Sequence, residues 1–211
     1  MRYTVRKISA FLIALILSNV FVVNSVYCYV HFYYPPNNNK KTDIVVTGDS
    51  YAGYFAIFES KKDLGIYLFA NPGRTTEQNF EMLKDAVNFD SKCIVLSIGV
   101  NDHARNISPV DFERRLNELV SNARVFNKKL ILHTYMNYDY VSSELVYGKA
   151  YYKIDDYDKI LQRVAIENNN VYYIDMHDMN YIYFMQSDRL HYDRIFYDTL
   201  YERVKQLVGT I

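Results

Sequence analysis

Residues 44–50 read Ile44-Val45-Val46-Thr47-Gly48-Asp49-Ser50, and residues 93–102 read Cys93-Ile94-Val95-Leu96-Ser97-Ile98-Gly99-Val100-Asn101-Asp102. Each opens with a short apolar run of strand length and stops at a glycine followed by polar groups. A strand that ends in Gly-Asp-Ser presents a hydroxyl at the carboxyl edge of its sheet, where open α/β folds place their chemistry. Working outward, apolar runs at 43–48, 65–70, 92–98, 129–135 and 171–176 alternate with helical spacing at about 51–60, 76–88, 109–127, 150–168 and 193–208. Such alternation implies right-handed βαβ units and a parallel sheet covered on both faces. The expected fold is α/β: a flavodoxin-like three-layer α/β/α sandwich with a five-stranded parallel sheet. Ser108-Pro109-Val110-Asp111 is a helix start, and the helix it opens carries Phe112, Leu116, Leu119, Val120 and Ala123 on one stripe.

The chain has 211 residues, half of them hydrophobic, enough for one medium domain and an appendage. Its formal net charge of zero hides an asymmetry. Residues 1–42 hold five cations (Arg2, Arg6, Lys7, Lys40, Lys41) and no acid, which leaves 19 basic against 24 acidic residues in 43–211, a net of −5. An acidic domain repels phosphate backbones, so no nucleic acid is expected as a partner. The two cysteines, Cys28 and Cys93, lie in an apolar N-terminal segment and at the start of a strand; no disulfide framework or metal cluster follows from them.

Arg2, Arg6 and Lys7 precede an apolar stretch from Ile8 to about Val30. A basic start and an apolar run form a secretory signal or a signal-anchor. At roughly 23 residues the run matches the ~20 that a helix needs to span a bilayer, so an uncleaved anchor is expected over a cleaved signal. The basic flank would hold the N-terminus in the cytoplasm and place the domain outside the membrane; cleavage would instead give a secreted protein. Tyr33-Tyr34-Pro35-Pro36 and the Asn37–Asn39 run cannot continue a helix and read as a tether. The domain plan is therefore 1–32 anchor or signal peptide, 33–42 linker, and 43–211 a folded catalytic domain.

Four blocks fall in order along that domain: Gly48-Asp49-Ser50-Tyr51, then Gly73 in Asn71-Pro72-Gly73-Arg74-Thr75, then Gly99-Val100-Asn101-Asp102, then Asp188-Arg189-Leu190-His191. Ser50 is the candidate nucleophile. A serine hydroxyl needs a neighbouring base to remove its proton, and His191 is the candidate, with Asp188 to hold its ring. Over residues 44 to about 205 the set resembles the signature blocks of the SGNH (GDSL-type) hydrolases, with Tyr51 where the family pattern has leucine. The resemblance implies a Ser50–His191–Asp188 triad and an oxyanion hole made of the Ser50 backbone N–H, the Gly73 backbone N–H and the Asn101 side-chain amide. It leaves Asp49 outside the triad, organising the turn, and makes Asp102 structural, holding the loop that aims Asn101.

His133 and His177 follow strands and read as structural histidines; His103 lies close enough to the third block to touch substrate. No cofactor or metal is expected, since no His, Asp or Glu spacing suggests a metal site. The chain has 22 tyrosines; Tyr135, Tyr138, Tyr140, Tyr147, Tyr151 and Tyr152 cluster after the fourth strand, where rings would stack on sugars or simply reflect a compositional bias. The expected function is an extracytoplasmic serine esterase of the carbohydrate O-deacetylase type. Its substrate would be a small-molecule or polysaccharide acyl ester. The rivals are an O-acetyltransferase acting on a surface polysaccharide with the same triad, a lipase or thioesterase, and a non-catalytic carbohydrate-binding domain.

Overall fold

The computed structural model describes residues 42–59, 65–134, 151–179 and 191–211, all within one compact unit that spans residues 36–211. The expected anchor (1–32) lies outside the described residues, as does the linker except for Thr42. Among the described residues no helix is long and apolar enough to cross a membrane.

The strands are β1 (Ile44–Gly48), β2 (Ile66–Ala70), β3 (Cys93–Ser97), β4 (Lys129–His133) and β5 (Val171–Ile174). They form one parallel sheet in the order β2-β1-β3-β4-β5. This is the flavodoxin-like order, with its topological switch between β1 and β3. The helices are α1 (Ser50–Glu59), α2 (Phe80–Ala86), α3 (Val100–Ala104), α4 (Pro109–Val125), α5 (Ile154–Glu167) and α6 (Arg194–Thr210). The β1-to-β2 step runs one way along the sheet and every later step runs the other. A right-handed crossover therefore sends α1 to one face and α2, α4 and α5 to the opposite face. The contacts agree: α1 packs on α6, while α4 packs on both α2 and α5.

Strand positions match the sequence expectation to within one or two residues. Two elements differ. The helix expected over 76–88 divides into a 3-10 turn, Glu77–Asn79, and α2. The loop expected to carry Asn101 and Asp102 is instead the short helix α3. Five residues leave too little periodicity to read from sequence.

β1 and β3 are buried along their whole length, as central strands covered on both faces must be. The five residues of the α4 stripe are all buried, and Ser108 Oγ caps that helix by accepting the Asp111 N–H at 3.1 Å. On the other face, aromatic contacts join α1 to α6: Phe55 to Tyr201 at 6.4 Å and Phe58 to Tyr197 at 5.4 Å between ring centroids. Cys93 is fully buried, which pushes its thiol up to about 12 and leaves it an inert small hydrophobe.

The register aligns three strand ends: Gly48 pairs with Ala70 on one side and Ser97 on the other. Gly48 adopts φ +138°, and a Cβ there would lie 1.9 Å from the Ser97 carbonyl oxygen. Only glycine lets the chain turn from β1 into Ser50 while keeping its neighbour strand in place.

Candidate active site

Ser50 is the first residue of α1, immediately beyond the β1 turn. Its Oγ lies 2.9 Å from His191 Nε2, a hydrogen bond across 141 residues of sequence. His191 sits just before α6, whose start is fixed by Asp193: one carboxylate oxygen accepts the N–H groups of Ile195 at 3.0 Å and Phe196 at 3.5 Å. Two tyrosines brace the imidazole, with ring centroids 4.6 Å away for Tyr54 and 5.6 Å for Tyr51. They lie three residues apart on α1 and so face the same way. Asp188 lies outside the described residues.

Asp49 is fully buried behind the nucleophile. Its own N–H donates to the Ser97 carbonyl at 3.0 Å, and its carboxyl group accepts the Tyr51 N–H at 3.0 Å, which organises the turn as the sequence suggested. It also accepts the Asn101 side-chain N–H at 3.2 Å, a link that sequence does not reveal. Burial pushes the Asp49 carboxyl up to about 8. The Tyr51 N–H opposes that shift, the nearby Asp102 adds to it, and the Asn101 amide opposes it again.

Asn101 is buried on α3, and an amide has two N–H donors, of which Asp49 takes one. Asp102 accepts the Thr76 N–H at 2.8 Å and the Thr76 hydroxyl at 2.9 Å. Asp102 therefore ties α3 to the segment that follows Gly73, a tertiary clamp rather than a local loop support. Burial raises its carboxyl to about 6 against these two bonds and the Arg115 guanidinium, 3.8 Å away. Gly73 has φ +77° in the turn after β2, and its carbonyl accepts from Arg105 Nη2 at 2.7 Å.

The other histidines divide as follows. His133 is buried, and its Nε2 meets the Ser97 hydroxyl in a short hydrogen bond. Burial lowers it to about 4, so it is neutral near pH 7 and serves the core. His103 is also buried; its Nε2 meets the Tyr152 carbonyl at 2.8 Å, so it holds the chain re-entering before α5. His177 is partly exposed, with Nδ1 2.7 Å from Asp175 and Nε2 3.5 Å from Asp158. Of the tyrosine cluster, Tyr135, Tyr138, Tyr140 and Tyr147 lie outside the described residues, and Tyr151 is exposed. Among the described residues no group of three or more His, Cys, Asp or Glu is arranged to hold a metal ion.

Sequence reading overlooked Tyr51 and Tyr54 as partners of His191; their three-residue spacing just after the nucleophile was the available signal. It also overlooked Arg105, which had none. Chemically, the arrangement places a hydroxyl in hydrogen-bond contact with an imidazole that can take its proton.

A family model described as GDSL-like lipase/acylhydrolase matches residues 38–199. Among solved structures, a putative platelet activating factor from Streptococcus pneumonia is similar, with TM-score 0.69, 17% identity, and coverage of 93% of this chain and 98% of that one. The psychrotrophic esterase EstA from Pseudoalteromonas sp. is similar at TM-score 0.63 and 16% identity, covering 79% and 98%. An acetyl-xylooligosaccharide esterase from Geobacillus stands at TM-score 0.57 and 16% identity, covering 80% and 94%. At these identities the likeness is one of fold. No curated protein matches the chain in sequence.

Proposed function

The chain belongs to the GDSL-like lipase/acylhydrolase family and is a serine-type ester hydrolase; from that premise we propose that it removes small acyl groups, acetyl foremost, from an extracytoplasmic carbohydrate. The observation that carries the chemistry is the 2.9 Å contact between Ser50 Oγ and His191 Nε2. In this reading Ser50 Oγ attacks the ester carbonyl carbon while its proton passes to His191 Nε2. The carbonyl electron pair becomes an oxyanion held by the Ser50 and Gly73 backbone N–H groups and the second N–H of Asn101, each such donor worth ~3 kcal/mol. Collapse expels the sugar alkoxide, which takes the proton from His191 and leaves an acyl-Ser50 ester. Water, deprotonated by His191, then releases the carboxylic acid and restores Ser50. Asp188 completes the triad by accepting the His191 Nδ1–H.

The acetyl-carbohydrate choice is supported by the acetyl-xylooligosaccharide esterase among the fold neighbours. The location is supported by the basic flank and apolar run of residues 1–32.

The test measures acetate release from a small aryl acetate by the wild-type chain, Ser50→Ala and His191→Ala. Both variants are expected to lose at least about 1000-fold in kcat, and equal activity in all three overturns the assignment. Repeating it on acetylated glycans with free acceptor sugar separates hydrolysis from transfer: acetate in solution supports the esterase, and acetate found only on the acceptor replaces it with an O-acetyltransferase.

A further inference from the structure

Two guanidinium groups bracket the turn at Gly73. Arg105 Nη2 donates to the Gly73 carbonyl at 2.7 Å and would lie 4.0 Å from a Cβ at that glycine. Arg74, the next residue, donates from Nη1 to the Gln78 carbonyl at 3.1 Å. With the Asn71 amide turned so that its oxygen faces the guanidinium, Arg74 Nη2 and Nε also donate to it at 3.0 and 2.9 Å.

All of these partners are neutral. Among the described residues no carboxylate lies within ion-pair distance of either arginine. The acids nearby are engaged elsewhere: Glu77 pairs with Arg115 at 2.9 Å, and Asp102 is buried against Thr76. Two cations that lack a carboxylate partner among the described residues thus stand at one turn of a domain of net charge −5. Arg105 is exposed and spends one of its five N–H donors on Gly73. The remaining donors present the fork geometry that suits a carboxylate or a phosphate.

We propose that Arg74 and Arg105 form an anion subsite beside the oxyanion glycine, which selects esters bearing a negatively charged group close to the scissile bond. This rests on the acetyl-ester reading above. An acetyl group has no room for a charge, so the anion belongs to the alcohol part: a carboxylate on an acetylated uronic acid, or a phosphate on an acetylated polyol. The shared chemistry is an oxyanion that takes the free fork of Arg105 and the positive charge of Arg74, whose own N–H groups hold the turn.

The test compares kcat/KM for two matched pairs on the full chain: O-acetylglucuronate against O-acetylglucose, and acetylglycerol 3-phosphate against acetylglycerol. The wild type is expected to prefer at least one anionic member about tenfold or more at low salt, with the preference shrinking as ionic strength rises. Arg74→Gln/Arg105→Gln is expected to reduce that ratio to within about threefold, while Arg105→Lys keeps part of it. The ratio cancels any loss caused by a displaced Gly73. A preference in one pair alone identifies the source of the anion. Equal rates within both pairs, or an unchanged ratio in the double variant, overturns the subsite while leaving the esterase reading intact.

Binding of glucuronate and of glycerol 3-phosphate to Ser50→Ala, with and without the two arginine substitutions, reads the subsite without turnover. Arginine-dependent, salt-sensitive binding together with no activity on any of the four esters would sustain the subsite and sink the acetyl-ester reading. Binding of both anions that ignores the arginines overturns the subsite directly.

Discussion

Asn101 Nδ2 donates to Asp49 Oδ2 at 3.2 Å, which joins the residue before the proposed nucleophile to the proposed oxyanion donor across 52 positions of sequence. Asp49 touches no reacting atom in this scheme; it acts by aiming Asn101. Asp49→Ala is expected to lower kcat by about 10–100-fold with little change in KM, short of the 100–1000-fold expected for Asn101→Ala. Because both act through one donor, the double variant should be no worse than Asn101→Ala alone. Additive losses in steady-state kinetics would show that Asp49 works by another route.

The raised Asp49 carboxyl gives a pH dependence of stability. The folded chain keeps this proton up to about 8, whereas an unfolded aspartate, at 3.8, has already released it. The unfolded state therefore binds fewer protons in this window, and the stability contributed by Asp49 is lost as pH rises through it. Relative to Asp49→Asn, the wild type should lose stability progressively as pH rises from the unfolded value of 3.8 toward about 8. Urea unfolding at four pH values measures this, and parallel curves for the two proteins would refute it.

Tyr54 stands 4.6 Å from the His191 ring, at a tilt of 44°. Ring contacts of this kind are worth about 0.5–1.5 kcal/mol, so Tyr54→Ala should lower kcat by about 2–10-fold by loosening the imidazole. Tyr54→Phe retains the ring and should restore the rate. If Phe is as impaired as Ala, the hydroxyl and not the ring face is what matters.

Ser97 and His133 form a second serine–histidine contact, but both are buried in the core beneath the site. Ser97→Ala removes the hydroxyl that meets Nε2 and should cost about 1–2 kcal/mol of stability while leaving kcat unchanged. A large fall in kcat at full folding would give this pair a part in the reaction.

Gly48→Ala would drive a methyl group to 1.9 Å from the Ser97 carbonyl oxygen in a backbone conformation that side chains rarely adopt. A loss above about 3 kcal/mol, or failure to accumulate as soluble protein, is expected. Thermal melting of any folded fraction checks it, and a near-normal Tm would mean that β1 and β3 can separate there.

The fold was readable because its signals are local. Short apolar runs and longer periodic stretches survive in one dimension, and the α4 stripe from Phe112 to Ala123 is buried residue for residue. The order of the polar blocks was equally local, each attached to a strand end or a late loop. What escaped was whatever depends on two segments meeting. α3 is too short to show a period, and Asp102 bonds to Thr76 rather than to its own loop. The Arg105–Gly73 and Asp49–Asn101 contacts join residues with no sequence relation.

By itself, then, the sequence determined the strand and helix rhythm, the parallel sheet, and the identity of Ser50, Gly73, Asn101 and His191 as the groups to watch. The rhythm, the sheet, Ser50 and His191 follow from periodicity and residue chemistry, and Gly73 and Asn101 from the resemblance of the blocks to a known family; the chain carries all of these whatever its shape. The tertiary structure alone decided that His191 comes within hydrogen-bond distance of Ser50, that Asp49 is buried enough to hold its proton, and that Arg74 and Arg105 have no acidic partner among the described residues. Distance, desolvation and pairing are properties of space between segments, and they come into being only when the sheet brings the ends of β1, β2 and β3 to one edge.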